Sequence, residues 1–144
     1  MPVEIRNEPI SFDLYGVSGD VPDRNYGKVG SKLMGDLWPA IKENRIKNTG
    51  INYWVYHGCD RLSTCVELVD NEGPHPFQHI PVHLQKYAYY KHIGSYDRLG
   101  EAYAAINNTI AASGLTASGL SVERYGDWTD DPNKLETELF IGIA

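Results

Sequence analysis

The sequence predicts an α+β domain in which a β-α-β-β unit occurs twice and forms a curved antiparallel sheet with both helices on one face. Three observations support this fold class. The chain of 144 residues has the length of a single domain. Strand-type and helix-type hydrophobic patterns follow one another in the same order in both halves. Residues 50–56 also match residues 119–125 in register, although few residues are identical.

The first repeat covers about residues 3–72 and begins with a predicted strand over residues 10–19. A helix is predicted from about residue 28 to residue 45, because apolar residues recur there every four positions. This apolar stripe consists of Val29, Leu33, Leu37 and Ile41. Pro39 lies inside the helix and predicts a kink or a break. Two further strands are predicted after it: residues 51–58 and residues 63–70.

The second repeat covers about residues 85–144 and has the same order. A strand over residues 85–93 precedes a helix over residues 96–113, and Gly114 supplies a stop signal. One side of this helix carries Leu99, Tyr103, Ile106 and Ile110. The last two strands are predicted at residues 120–128 and 135–143. Between the repeats, about residues 73–84 are rich in proline and are interpreted as a connector.

Composition narrows the function classes. Nineteen acidic and 13 basic residues give a net charge of −6, which disfavours nonspecific binding to nucleic acid. The sequence contains no apolar run of 18 residues, and its start carries charges where a signal peptide needs an apolar core. Cys59 and Cys65 lack the spacing of a zinc site and are interpreted as reduced thiols. We therefore expect a cytoplasmic protein that does not enter membranes.

Strand alternation predicts which side chains share a face. In the last strand Leu135, Thr137, Leu139 and Ile141 should lie under the helices, so Glu138 and Phe140 should point to the opposite face. By the same alternation, Glu123 pairs with Tyr125 and Trp54 with Tyr56. We expect these acids and rings to share the helix-free face. A carboxylate in an apolar wall is costly unless a cation compensates it. The alternative is that the glutamates are solvated and the rings only cover the sheet.

Other motifs carry less weight. His75, His79 and His83 have a spacing that suits metal ligands on a helix, but Pro76 and Pro81 break such a helix. No metal ligand, cofactor or catalytic residue is predicted.

At the level of whole motifs, the second half resembles the GyrI-like domain, the effector-binding domain of AraC- and MerR-type multidrug regulators. The resemblance runs through "YAYYKHIGSYDRL", "GLSVERYGDW" and "DDPNKLETELFIGI" and is looser over the first half. The residues that fit the family pattern are His92, Gly94, Tyr96, Glu123, Tyr125, Asp131, Pro132, Thr137 and Glu138. Two prolines of that pattern are replaced, one by Ser95 and one by Gly142.

The resemblance implies a stand-alone domain, residues 1–144, that binds small cationic, aromatic or partly apolar molecules in a cleft between the repeats. A buried glutamate would neutralise the charge of the ligand. No DNA-binding helix-turn-helix is expected in this chain. Together with the alternation, the resemblance predicts these ligand-binding residues: Glu123, Glu138, Tyr125, Phe140, Trp54, Tyr56, Tyr96 and Tyr89.

Two other functions stay open at this point. The domain is a small-molecule hydrolase if Glu123 or Glu138 acts as a general base with a pKa raised by the apolar wall. It is a gyrase-inhibitor-like interaction module if an acidic surface binds a protein partner. A homodimer also stays open, because an edge strand at either end of the sheet can pair with another copy.

Overall fold

The computed structural model describes residues 3–58, 60–69 and 74–144. In these ranges the chain forms eight strands and two α-helices. The elements are β1 (Glu4–Arg6), β2 (Ile10–Asp20), α1 (Tyr26–Glu43), β3 (Tyr53–Tyr56), β4 (Arg61–Val66), β5 (Gln78–Leu84), β6 (Tyr87–Ile93), α2 (Leu99–Ala112), β7 (Ala117–Tyr125) and β8 (Glu136–Ile143). Short 3-10 turns precede α2 at Tyr96–Arg98 and β8 at Pro132–Lys134. Neither α-helix is long and apolar enough to cross a membrane.

All strands join one antiparallel sheet in the order β1-β6-β8-β7-β3-β4-β2-β5. The predicted α+β fold class with two β-α-β-β repeats is confirmed. Each repeat forms one half of the sheet, and the halves meet where β3 pairs with β7. Trp54 lies directly opposite Glu123 at this junction.

The segment that was interpreted as a connector contains strand β5. This strand pairs with β2 of the first repeat, while β1 pairs with β6 of the second repeat. Each repeat is therefore preceded by a strand that extends the other half of the sheet. Pro81 lies within β5, and the edge position of this strand explains why proline is tolerated, since one side of its backbone has no partner strand.

Both helices lie on the same face of the sheet, α1 over β2 and β4 and α2 over β6 and β8. In α1, Leu37 and Ile41 pack with Val66 of β4, while Leu33 packs with Leu62. In α2, Ile106 and Ile110 pack with apolar residues of β6 and β8: Ala88, Leu139 and Ile141. Full burial of each such side chain contributes about 1.5–3 kcal/mol. A gap remains between the two helices above the central strands β3 and β7.

Helix α1 continues through Pro39 as one helix, so the predicted break does not occur. Its start is capped by Asn25, whose side-chain oxygen accepts a hydrogen bond from the Lys28 amide at 3.2 Å. This cap satisfies one of the backbone donors that have no partner within the first turn of α1.

The sheet curves so strongly that side chains on its helix-free face pack against one another and form an apolar core. Phe12 on β2 and Phe140 on β8 have ring centroids 5.1 Å apart, although three strands separate them in the sheet. Such contact requires strong curvature of the sheet. The buried residues of this core are Phe12, Leu14, Tyr53, Val55, Cys65, Ile80, Val82, Leu84, Tyr87, Val122 and Phe140. The helix-free face is therefore filled by the protein itself.

Candidate ligand-binding cleft

A cavity of about 700 Å³ opens between α1 and α2, above the central strands β3 and β7. Its volume lies within the range of sites that hold drug-sized molecules. The floor contains Trp54 and Tyr56 from β3 and Glu123 and Tyr125 from β7. The residues that the helices contribute are Gly27, Ser31 and Met34 from α1 and Leu99, Gly100 and Tyr103 from α2. The predicted cleft between the repeats therefore lies on the helix-covered face.

Glu123 is the one buried carboxylate among the residues that line this cavity, and only 3% of its surface is exposed. Its Oε1 accepts hydrogen bonds from the hydroxyls of Tyr56 at 2.9 Å and Tyr125 at 2.5 Å. Its Oε2 accepts a hydrogen bond from the hydroxyl of Tyr103. These tyrosines come from three different elements, so folding of both repeats is needed to assemble the cluster.

Burial raises the pKa of Glu123 above its ordinary value, although the three tyrosine hydroxyls oppose this shift. Burial and the neighbouring charge of Glu123 likewise raise the pKa values of Tyr56, Tyr103 and Tyr125, so these phenols stay neutral. Among the described residues, no ion pair within 4.0 Å involves Glu123. Ionisation of Glu123 therefore leaves one buried negative charge that no cation among the described residues neutralises.

Aromatic rings surround this carboxylate and hold one another in place. The ring of Tyr125 contacts Trp54 edge to face, with centroids 5.9 Å apart, and contacts Tyr96 at 5.4 Å. The indole of Trp54 lies against α1 at Gly30, where a β-carbon would come within 2.2 Å of the ring. Glycine at this position therefore lets the indole pack directly against the helix and leaves the space above it open.

The prediction that Glu123 and Glu138 share a face of the sheet is wrong. The register pairs Glu138 with Arg124 and Glu123 with Leu139, and directly paired residues lie on the same face. Alternation separates each strand into two sets, but only the register decides which sets lie together. The same error misplaced the cleft, because Glu123 and its rings lie on the helix-covered face.

Three predicted site residues lie on the opposite face, outside the cavity. Glu138 accepts a hydrogen bond from Arg124 Nε at 2.8 Å and another from the hydroxyl of Tyr89. The Arg124 guanidinium also lies over the ring of Phe140, 5.0 Å from its centroid. The hydrogen bonds to Arg124 and Tyr89 hold the pKa of Glu138 below its ordinary value even though burial opposes this. This acid is already neutralised within the protein.

The remaining five predicted residues do line the cavity: Trp54, Tyr56, Tyr96, Glu123 and Tyr125. Sequence reasoning missed two prominent members. Tyr103 was assigned only to the apolar side of α2, although a tyrosine on such a stripe carries a hydroxyl that needs a partner. Trp128 lies in the loop after β7, where no periodic pattern predicts the direction of a side chain.

The structure describes the histidines and one of the two cysteines that the sequence analysis discussed. His79 lies on β5, with its Nε2 2.5 Å from Asp13 Oδ1, and His83 contacts Ser11 at 2.8 Å. Within the described ranges, no group of three or more His, Cys, Asp or Glu side chains is arranged to hold a metal ion. Cys65 is a buried free thiol, whereas Cys59 lies outside the described residues.

Comparison with known proteins identifies the family. The model of the GyrI-like small molecule binding domain matches residues 1–144. The chain belongs to the GyrI-like family. A search of curated protein sequences found no match. This GyrI-like domain is thus a small-molecule-binding domain by family.

Solved structures share the fold of this GyrI-like domain at low sequence identity. The C-terminal domain of EcmrR is 20% identical with a TM-score of 0.74, and the alignment covers 100% of this chain and 99% of that one. SAV2435 bound to tetraphenylphosphonium is 14% identical with a TM-score of 0.66, covering 100% and 94%. A hydrolase from Listeria innocua is 12% identical with a TM-score of 0.61, covering 99% and 92%. These similarities support the fold of this GyrI-like domain.

Proposed function

We propose that the cleft binds lipophilic organic cations that carry one positive charge and aromatic groups. One observation carries this proposal: the buried carboxylate of Glu123 lies in an aromatic cleft with no cationic partner among the described residues. A buried charge is costly unless it is paired. A cation that enters the cleft neutralises Glu123 and also interacts with the faces of the surrounding rings.

The arrangement around Glu123 favours one kind of cation. Three hydroxyls already cover the carboxylate oxygens, so a ligand contacts the tyrosine rings and hydroxyls before it reaches the carboxylate. A primary ammonium ion is strongly hydrated, and its three N–H donors need acceptors that replace this water when it enters an aromatic cleft. A quaternary or delocalised cation needs none, because its charge is attracted by the ring faces and by Glu123 at a longer distance. Quaternary and delocalised cations are therefore the proposed ligands.

The related fold of SAV2435, whose structure contains tetraphenylphosphonium, supports this proposal. Tetraphenylphosphonium has the proposed chemistry, since it carries a single shielded charge among aromatic rings. At 14% identity the comparison supports the fold and suggests a probe molecule, while the assignment of the ligand class depends on the cleft of this chain.

A second candidate function is hydrolysis, and one observation favours it. Burial raises the pKa of Glu123, which lies in an apolar cleft beside three tyrosine hydroxyls, and this setting suits a general base. A hydrolase from Listeria innocua shares the fold. Turnover separates the two functions, because a binding domain returns its ligand unchanged. Product analysis by mass spectrometry after prolonged incubation with an electrophilic aromatic compound makes this distinction.

We also propose that the domain does not bind nucleic acid directly, can form a homodimer and is located in the cytoplasm. The net charge of −6 supports the absence of direct contact with nucleic acid. The short edge strand β1 leaves room for a homodimer through strand pairing. The buried free thiol of Cys65 is compatible with a cytoplasmic location.

The test compares a cationic and a neutral ligand of the same shape, 10-methylacridinium and acridine, at a mildly alkaline pH where acridine is uncharged. Calorimetry measures both affinities for the unaltered protein and for Glu123→Gln, which keeps the shape of the side chain and removes its charge. The cation should lose about 2–5 kcal/mol of binding free energy. Acridine should lose far less, because its contacts consist mainly of apolar burial.

The matched control is Glu136→Gln, in an acid that pairs with Lys91 at 2.7 Å and does not line the cavity. This change should leave both affinities unaltered. Equal losses for the cation and for acridine in Glu123→Gln would contradict the proposed charge recognition.

A further inference from the structure

Trp128 combines two features that do not fit an ordinary surface residue. It lines the cavity, yet 78% of its surface is exposed to solvent. It is the most exposed of the large hydrophobic side chains among the described residues, the others being Val69, Ile93 and Tyr96. An indole in water gives up the apolar burial that such a large side chain normally provides. Burial within the described part of the domain therefore does not explain a tryptophan at this place.

The loop that carries Trp128 leaves β7 at a backbone hydrogen bond to β8 and ends in local turns before β8. At its start, the Gly126 amide donates to the Glu136 carbonyl at 2.8 Å. At its end, the Asp131 amide donates to Thr129 Oγ1 at 3.2 Å, and the Asp131 carboxylate accepts from the Asn133 amide at 3.0 Å. This loop places the indole at the mouth of the cavity without burying it.

The charge of the loop is also suited to a cation. Asp127 and Asp130 flank Trp128 in sequence, and both are exposed. Exposed carboxylates beside an aromatic ring raise the local concentration of cations and strengthen their attraction to the ring face. Tyr96 adds a second ring to the cavity lining, with 40% of its surface exposed.

We infer that Trp128 forms the outer wall of the binding site and selects bulky cations with several aromatic groups. This inference rests on the proposed function and adds the size class of the ligand. Glu123 and its tyrosines recognise the charge at the floor of the cleft. Trp128 stacks on the aromatic group that extends from the floor to the mouth. A single-ring cation binds at the floor and does not reach Trp128. A polyaryl cation contacts both the floor of the cleft and Trp128 at its mouth.

The experiment measures the affinities of two cations. Tetraphenylphosphonium is titrated by calorimetry, and the smaller 1-methylpyridinium is titrated by NMR. Trp128→Ala should weaken tetraphenylphosphonium binding roughly 3- to 30-fold and leave 1-methylpyridinium unchanged. Trp128→Phe keeps a ring and should recover much of the loss. Val69→Ala is the matched control, because it truncates an exposed apolar side chain that does not line the cavity. It should change neither affinity.

A second measurement locates the effect. Bound tetraphenylphosphonium should shield Trp128 from acrylamide, so the ligand-dependent loss of quenching should be smaller in Trp128→Phe than in the unaltered protein. Unchanged tetraphenylphosphonium affinity in Trp128→Ala, or an equal loss for both cations, overturns the inference and leaves the proposed function standing. Failure of the unaltered protein to bind either cation overturns both.

Discussion

The contact between Trp54 and Gly30 makes a sharp prediction about how α1 shapes the cleft. A β-carbon at Gly30 would lie 2.2, 2.5 and 2.7 Å from three atoms of the Trp54 ring, far closer than a normal contact. In Gly30→Ala the indole must move away from α1, toward the open space of the cavity. Such overpacking costs about 1–3 kcal/mol. Alanine also gains about 0.8–1 kcal/mol over glycine as a helix residue. The net loss of unfolding free energy is therefore about 0–2 kcal/mol.

Gly35→Ala provides the matched control. Gly35 lies on the exposed side of the same helix, and its added β-carbon would meet nothing within 4 Å. This variant should be stabilised by about 0.8–1 kcal/mol, because only the gain in helix propensity remains. The difference between the two variants isolates the collision with Trp54.

Urea unfolding measures both stabilities, and titration with tetraphenylphosphonium measures the effect on the site. Gly30→Ala should be the less stable variant by about 1–3 kcal/mol and should bind the cation more weakly, because the displaced indole occupies part of the cleft. Gly35→Ala should bind it normally. Equal stabilisation of both variants would refute the packing of Trp54 against α1.

Three further predictions concern stability. Because burial raises the pKa of Glu123, its ionisation destabilises the fold, so stability should fall as the pH rises from the unfolded pKa through the folded one. In urea titrations Glu123→Gln should therefore be more stable at neutral pH, by about 0.5–2 kcal/mol, but not at acid pH. Thr64→Val should raise the free energy of unfolding, measured in urea, by about 1 kcal/mol, because the buried Thr64 hydroxyl has no hydrogen-bond partner among the described residues. Glu138→Gln should destabilise the protein by breaking its pair with Arg124, with unchanged cation affinity by calorimetry.

The sequence predicted both β-α-β-β repeats because hydrophobic periodicity is a local property. The stripe of Leu33, Leu37 and Ile41 predicted α1, and these residues are buried in the structure. Strand β5 was missed because prolines were interpreted as turn signals. Proline is tolerated on an edge strand, and edge position depends on the order of the whole sheet.

The site was predicted in part for a related reason. Alternation correctly grouped Glu123 with Tyr125 and Trp54 with Tyr56, since these pairs lie within single strands. It could not tell that Glu138 belongs with Arg124, because the register between β7 and β8 is a nonlocal property. The contribution of Tyr103 depends on how α2 is placed above the sheet, which periodicity alone does not determine.

The central claim is that Glu123 carries the negative charge that a bound cation neutralises. The most direct measurement is the titration of the Glu123 carboxyl carbon by 13C NMR, assigned by comparison with Glu123→Gln, with and without tetraphenylphosphonium. In the unliganded protein the carboxyl should titrate with a pKa above the ordinary value for glutamate, because it is buried. With the cation bound, the pKa should fall, since a nearby positive charge favours the ionised form. A Glu123 pKa that the bound cation leaves unchanged would contradict the claim.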